Sequence, residues 1–303
     1  MLNFLIISSS EDIASINIRD KLINSKNYSF KELNNKWYGH NLFLLNKVDK
    51  DFIKEDISLN NRVYLGLTDK SLIFLDDLKL EELDFKPDFL IFASRHASKS
   101  AQPALLIHTT GNWGEEALFG GNSKEIAYSS AILLKAGFLS LLESSGELEE
   151  GKFSIDMEVN HHGPTNHSIP LVFMELGSIK AEWNDQRAGK VVADAIIKTI
   201  EKYWIVKREN PMICLGFGGT HYSPKFKKLI INTNIAIAHI CPKYFIQELN
   251  EEMIKQIIDK TLESKIDYFI YDWKGLNAPD KSHLSQILNG FNIEIKRTKE
   301  FQN

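Results

Sequence analysis

The chain has 303 residues, 43% of them hydrophobic, with 36 basic against 40 acidic side chains and a formal net charge of −4. That apolar content supports a sizeable core in one large α/β domain or two smaller ones, and the charge balance argues against a protein that coats nucleic acid through bulk electrostatics, though not against a local basic patch. The two cysteines, Cys214 and Cys241, lie in or at the end of apolar runs and form no C-x-x-C pair, which argues against a disulfide framework and a cysteine-rich zinc knuckle.

In chain order, the run Leu2–Ile7 lacks a basic leader and meets Glu11-Asp12 soon afterwards, so it reads as a first strand rather than a signal peptide. Strand-like runs follow at Asn41–Leu45, Arg62–Leu67, Asp88–Ala93, Ala104–Ile107, Phe153–Val159, Leu171–Glu175, Met212–Phe217, Ile235–Ile240, Tyr268–Tyr271 and Phe291–Ile295. Several are nearly continuous in Ile, Leu, Val and Phe, as strands buried on both faces must be. Helix-like segments lie between them, clearest at Ser123–Glu143, Glu182–Tyr203, Tyr244–Glu263 and Pro279–Leu288; in the second, Trp183, Ala188, Val191, Ala195 and Ile196 trace a buried helical stripe. Strands alternating with helices imply an α/β protein with a mostly parallel sheet flanked by helices. Lys47–Asn61 and Asp76–Asp88 read as surface excursions, and Glu143–Gly151 as the end of a helix. The expectation is a single domain over residues 1–303, with a small N-terminal subdomain within residues 1–87. No run approaches the ~18 apolar residues of a membrane helix, so no membrane contact is expected and the cytoplasm is the default location.

Five of the nine histidines sit in short polar clusters, each directly after a strand-like run: Ser94-Arg95-His96, His108, His161-His162 and Gly218-Gly219-Thr220-His221. Open parallel sheets carry ligand sites outside the carboxyl ends of their strands, so these clusters predict one metal-binding or catalytic cleft. The stretch Glu158 to Thr165 is the sharpest: two histidines beside a carboxylate suit zinc. Neighbouring residues on a strand point to opposite faces, so both imidazoles reach one cleft only if the strand has ended by His162, which Gly163-Pro164 favours. The plain alternative is a single buried histidine satisfied by backbone.

The glycines of Gly216 to Tyr222 leave backbone amides able to hold an anion or a developing oxyanion, but they match neither nucleotide-binding fingerprint. Arg95 and Ser98 give a polar loop that could orient a carboxylate or phosphate, or simply be solvated. Glu175 and Asp272-Trp273-Lys274 end two further strands, where a carboxylate and an ammonium could act as base, metal ligand or anion anchor, or form a structural ion pair. His40, His167 and His283 lack such context and read as surface residues. With no G-x-S-x-G elbow, metal-activated water is the simpler nucleophile.

Together, Ser94-Arg95-His96, the EVNHHGPT stretch from Glu158 to Thr165, Glu175-Leu176-Gly177-Ser178, the GGTHYSP stretch from Gly218 to Pro224 and Pro242-Lys243-Tyr244 resemble the archaeal and plant type of D-aminoacyl-tRNA deacylase, in the same order and spacing from the first strand to about Lys274. The resemblance implies a zinc-containing hydrolase that cleaves the ester between a D-amino acid, D-tyrosine among them, and the 3′ end of tRNA, on a fold like that of the phosphorylase and peptidyl-tRNA hydrolase group. The chain departs at Ala238-His239, where Gly-His is expected, so a role for residue 238 does not carry over. On this reading His96, His161, His162, His221 and Glu175 are expected to hold zinc, two ions per chain. His96, His162, His221 and Glu158 are expected in catalysis, and Arg95, Ser98, Gly218, Gly219, Thr220, Lys243 and Lys274 in substrate binding.

The partner is then the acceptor end of D-aminoacyl-tRNA, met by a monomer that binds no DNA. A few phosphate anchors suffice, from Lys225, Lys227 and Lys228 or from Lys198, Lys202, Lys207 and Arg208, and predict a shallow dependence on salt. Two other readings stand beside it: a zinc peptidase or amidohydrolase acting on a small N-acyl or peptide substrate, and a phosphorylase-like nucleoside-binding protein without metal chemistry.

Overall fold

The protein is described from a computed structural model, which covers residues 1–54 and 61–301. In chain order its strands are β1 (Leu2–Ser9), β2 (Tyr28–Trp37), β3 (His40–Val48), β4 (Asn61–Thr68), β5 (Phe89–Ala97), β6 (Ala104–His108), β7 (Ser154–Met157), β8 (Leu171–Ser178), β9 (Met212–Phe217), β10 (Ile235–Cys241), β11 (Tyr268–Tyr271) and β12 (Glu294–Arg297). The helices are α1 (Ile13–Ile23), α2 (Ala131–Ser144), α3 (Lys180–Trp183), α4 (Gln186–Arg208), α5 (Pro224–Asn232), α6 (Glu251–Asp259) and α7 (Ala278–Leu288).

The strands form two sheets. The first has the order β2-β3-β4-β1-β5-β8-β6-β7 and the second β10-β9-β11-β12. In the first, β2/β3, β3/β4 and β6/β8 pair antiparallel and the other neighbours parallel; the second is parallel throughout. This is the mixed, mostly parallel α/β arrangement that the alternation of apolar runs predicts.

One face of the first sheet packs Ile91, Ala93, Ile107, Val172 and Met174 against helices, with Val191, Ala195 and Ile196 of α4 in the same core. Each such aliphatic side chain contributes about 1.5–3 kcal/mol on burial. Asp185 starts α4 by accepting hydrogen bonds from the Arg187 and Ala188 amides, the usual remedy for the bare N–H groups of a first turn. The opposite face buries Leu5, Ile7, Leu90, Phe92, Leu171 and Phe173 under Trp37 and Leu42.

Several elements differ from expectation. β2 carries no apolar run because it is an edge strand with one exposed face, and its polar residues alternate accordingly. The helix expected over Ser123–Glu143 begins only at Ala131, because Ile126 and Ser129 are engaged in bridges to Gly111 and Thr261. Tyr244–Glu263 divides into a 3-10 segment, Lys243–Glu248, and α6. α2 ends at Ser144, at the break expected over Glu143–Gly151. Part of the excursion expected over Lys47–Asn61, residues 55–60, lies outside the described residues. In the other, Asp76–Asp88, Leu78 is buried and its carbonyl accepts from Trp37 Nε1 at 2.7 Å.

The segment after β7 joins the two sheets. Glu158 N donates to Ile107 O of β6 at 3.1 Å, Val159 N to His221 O at 3.0 Å and Asn160 N to Ile240 O of β10 at 3.2 Å. The Asn160 side chain returns the last contact, its Oδ1 accepting from Ile240 N at 2.8 Å. Among the described residues no helix is long and apolar enough to cross a membrane.

Candidate functional site

Register places the first three polar groups. In β5, β8 and β6 the partners run Phe92↔Phe173, Ser94↔Glu175 and His96↔Gly177 on one side, and Leu106↔Glu175 and His108↔Phe173 on the other. Side chains alternate with period 2, so His96, Glu175 and His108 share one face of the sheet, continuing the ring stack Phe92–Phe173–His108. This corrects the expected placement beyond parallel strand ends. β8 runs on to Ser178, leaving Glu175 inside it, and β6 is antiparallel to β8, so His108 arrives from the other direction.

The remaining ligand-type residues come from loops. β7 ends at Met157, which frees the chain to turn both His161 and His162 inward, their rings 4.5 Å apart. His162 has φ 45°, a left-handed conformation that costs a residue with a Cβ roughly 1–2 kcal/mol. Neighbouring contacts hold it: Gly111 N donates to His162 O at 2.9 Å, and Gly163 N to Phe119 O at 3.1 Å. Gly163 is required by proximity, since a Cβ there would stand 2.2 Å from Gly121 N. His221 enters from the loop after β9, with Nδ1 3.3 Å from the Tyr244 hydroxyl.

The imidazoles converge with defined tautomers. Nδ1 of His108, His161 and His162 faces the carbonyls of Thr109, Val159 and Gly163 at 3.0, 2.9 and 2.7 Å. A carbonyl only accepts, so each Nδ1 carries the proton in the neutral ring and each Nε2 presents a lone pair. Glu158 Oε1 lies 2.9 Å from His221 Nε2, and Oε2 lies 3.9 Å from both His108 Nε2 and His161 Nε2. Glu175 Oε2 is 3.5 Å from His96 Nδ1 and 3.7 Å from His108 Nε2. Despite this crowding, both Glu158 oxygens and His108 Nε2 are buried without an aligned hydrogen bond.

Among the described residues, three sets of donor atoms each lie within 4.8 Å of one another: His108/His161/His162, Glu158/His161/His221 and His96/Glu158/Glu175. Unpartnered buried carboxylate and imidazole atoms facing one another are costly in a bare protein. Imidazole nitrogens and carboxylate oxygens are the donors a zinc ion takes, so the residues fit that metal.

Electrostatics divides the histidines. Burial, reinforced by the neighbouring imidazoles, holds His161 well below the ordinary 6.5 and His162 down to about 3, so both are neutral, as ligands must be. Burial also opposes the charged form of His96 and His108, but Glu175 and Glu158 outweigh it and raise both. Glu175 is held well below the usual carboxylate range: burial works against its charge, but the His108 and His96 rings facing it at 3.7 and 3.5 Å prevail.

A cavity of about 360 Å³ opens over this cluster, with His96, His161, His162, Glu175 and His221 in its floor and Arg95, Glu11, Asp12, Ser71 and Ser94 in its walls. Arg95 is among the lining residues, and its guanidinium lies 5.5 Å from the Trp183 ring. Ser98 is half-buried, pairing with Ser100 at 2.9 Å, and is not among the lining residues. Gly218, Gly219 and Thr220 do not line it either, and the Gly218 N–H is taken by Cys241 O at 2.8 Å, which removes it as an oxyanion donor. Lys243 is tied to that loop through its amide, donating to Gly219 O at 3.0 Å; its side chain and that of Lys274 are exposed and outside the cavity.

Other expectations change as well. Lys227 reaches Ile155 O at 2.9 Å and pairs with Asp156, while Lys198 and Lys202 both bind Glu143, so these cations are engaged within the protein. His167 is buried, with Nε2 donating to Leu75 O at 2.7 Å, and is not a surface residue; His283 is half-buried against Leu249 O, and His40 pairs with Asp69. The expected ligand set lacks two residues of these donor sets, Glu158, which was expected in catalysis, and His108, whose signal was present because it closes a strand-like run as His96 does.

The sequence profile of the D-aminoacyl-tRNA deacylase family matches residues 83–296. D-aminoacyl-tRNA deacylase of Pyrococcus horikoshii is 35% identical over 294 residues, covering 96% of this chain and 98% of its own length. That of Thermococcus kodakarensis is 33% identical over 296 residues, covering 97% and 99%. The crystal structure of a conserved protein of unknown function superposes with a TM-score of 0.82 at 27% identity, over 99% of this chain and 97% of that one. With the EVNHHGPT and GGTHYSP stretches meeting at one buried cluster and the family profile spanning most of the length, this chain belongs to the D-aminoacyl-tRNA deacylase family.

Proposed function

We propose that this protein hydrolyses the ester of D-aminoacyl-tRNA, D-tyrosyl-tRNA among its substrates, with zinc held by the histidine and carboxylate cluster. The observation that carries the reading is the convergence of His96, His108, His161, His162, His221, Glu158 and Glu175, with buried atoms left unpartnered, beneath a cavity that has Arg95 in its wall. Of the two ions expected per chain, His108, His161 and His162 would hold one; His96 and Glu158, which with Glu175 form a donor set sharing no residue with it, serve proton transfer in this reading. The chemistry that zinc supplies when bound is Lewis acidity toward the ester carbonyl and acidification of a water nucleophile.

The chain's own groups do the rest. Glu158 takes the water's proton at Oε2, the oxygen turned away from His221, while His221 Nε2 steadies Oε1. His96, with its raised pKa, delivers a proton to the departing ribose oxygen, and Tyr222, 3.4 Å from its Nε2, orients the ring. Arg95 offers its guanidinium to the terminal phosphate. The same reading carries a cytoplasmic location and action as a monomer on tRNA rather than DNA.

The test is deacylation of matched D-tyrosyl-tRNA and L-tyrosyl-tRNA by the purified protein, before and after chelation and with zinc restored. Hydrolysis confined to the D-ester and recovered with zinc is expected. Hydrolysis of neither ester by the zinc-loaded protein would sink the reading.

A further inference from the structure

A second cavity, of about 210 Å³, lies against the same histidine pair. It shares His161, His162 and Phe119 with the first, and its other walls include Trp113, Leu118, Phe245 and Asn160. Nothing in the chemistry outlined above uses it. Its character is also different: the larger cavity sets Arg95, Glu11, Asp12, Ser71 and Ser94 among apolar walls that include Leu72, Ile73 and Ala97, whereas this one gathers the rings of Trp113, Phe119 and Phe245 with Leu118, and beyond the shared histidines its polar groups are Asn112, Asn160 and Glu116.

The apolar cavity is built rigidly at one end and open at the other. Trp113 is 1% exposed and its indole N–H donates to Asn160 O at 3.1 Å, on the residue directly before His161. The Asn112 side chain clamps the returning loop by donating to Gly120 O at 2.9 Å and Asn122 O at 3.1 Å. Phe245 is held by the 3-10 segment after Pro242, the same segment that sets Tyr244 beside His221. Leu118 and Phe119 stand at the mouth, 73% and 66% exposed. A preformed apolar pocket with a few placed polar groups is how proteins select an apolar or aromatic group.

We infer that this cavity receives the side chain of the amino acid being released, while the larger cavity, with its guanidinium-bearing Arg95 and its serine hydroxyls, takes the terminal ribose and its phosphate, with Phe119 lining both. The inference rests on the deacylase reading and deepens it. An aminoacyl ester has two arms leaving the scissile carbonyl, one charged and hydroxylated, the other in a tyrosyl ester aromatic. The two cavities meet at His161 and His162, where that carbonyl must sit, and their linings match the two arms.

The experiment compares kcat/KM for D-tyrosyl-tRNA and D-alanyl-tRNA, both prepared on the same transcript backbone, for the zinc-loaded parent, Phe245→Ala and Leu118→Trp. Phe245→Ala removes a wall that grips a large side chain. Leu118→Trp narrows the mouth from a position exposed enough that folding is not at risk. In at least one variant the tyrosyl-to-alanyl ratio is expected to fall about 10- to 100-fold, the range one pocket contact commands. A ratio within twofold of the parent's in both variants overturns the pocket while leaving the deacylase reading intact. A zinc-loaded parent inactive on both esters overturns the two together.

Discussion

His108 separates a packing role from a ligand role in one side chain. It is fully buried, stacks on Phe173 at 5.5 Å, fixes its Nδ1 on Thr109 O and leaves Nε2 without a partner. His108→Phe keeps the stack and removes only the nitrogens. We expect the purified variant to bind less zinc, to lose the zinc-dependent rise in Tm, and to fall at least about 100-fold in kcat/KM, the equivalent of about 2.7 kcal/mol of transition-state stabilisation. Unchanged zinc content by mass spectrometry and an unchanged rate would take His108 out of the site. His108 is visible in the sequence as a histidine closing an apolar run, but a lone residue in that position has no local partner to distinguish it from a core histidine. What distinguishes it is the pairing of β6 with β8, a contact made with residues more than sixty positions away.

At the scale of elements, the segment Glu158–His162 is held by the sheets on either side of it and not by its own secondary structure. Asn160 is its anchor to the second sheet. The side chain accepts from Ile240 N at 2.8 Å and donates to His239 Nδ1 at 2.9 Å. Asn160→Ala leaves a buried backbone N–H and a buried imidazole nitrogen bare, which costs about 1–3 kcal/mol. We expect a lower urea midpoint at unchanged slope, together with a loss of rate larger than the loss of stability explains, because His161 and His162 follow directly. A variant as stable and as active as the parent would show that the loop holds its shape without this anchor. The sequence shows the motif and the strand break before it. It does not show the clamp, because Ile240 and His239 lie about eighty residues downstream and only β10 brings them there.

For the whole molecule, buried neutral histidines tie stability to pH. Burial lowers His239 to about 3 and also lowers His161, His162 and His167. In the unfolded chain these groups protonate near 6.5, so their contribution is fully present above that value and is lost as pH falls below it, toward their folded values. His96 and His108, raised in the folded state, act in the other window: they stabilise below 6.5 and that contribution is lost as pH rises through their raised values. Below 6.5 they are protonated in both states and add no slope. Urea denaturation of the metal-free protein should therefore show falling stability between pH 6.5 and about 4.5, with His239 alone giving roughly 1.4 kcal/mol per pH unit. The slope should shrink by that amount in His239→Gln. Constant stability over the interval in the parent would contradict neutral burial of these rings.

Local pattern reached far in this chain. Apolar runs bounded by turns mark almost every central strand, because a strand buried on both faces must be apolar throughout whatever its neighbours are. The polar clusters that end those runs named Glu158, His161, His162 and His221, and Ser94 to His96 with Glu175, as the chemistry-bearing residues, since such groups interrupt an apolar run only where the backbone meets a site or solvent. Their motifs were enough to point to the family. The tertiary structure decided the rest: that β6 runs against β8 and brings His108 onto the same sheet face as His96 and Glu175, that the Gly218 amide is already bonded to Cys241, that Lys198, Lys202 and Lys227 are engaged by carboxylates, and that Leu118, Phe119 and Phe245 enclose a second cavity. Strand order, register and side-chain partners are long-range choices made by packing, and a window of neighbouring residues carries no record of them.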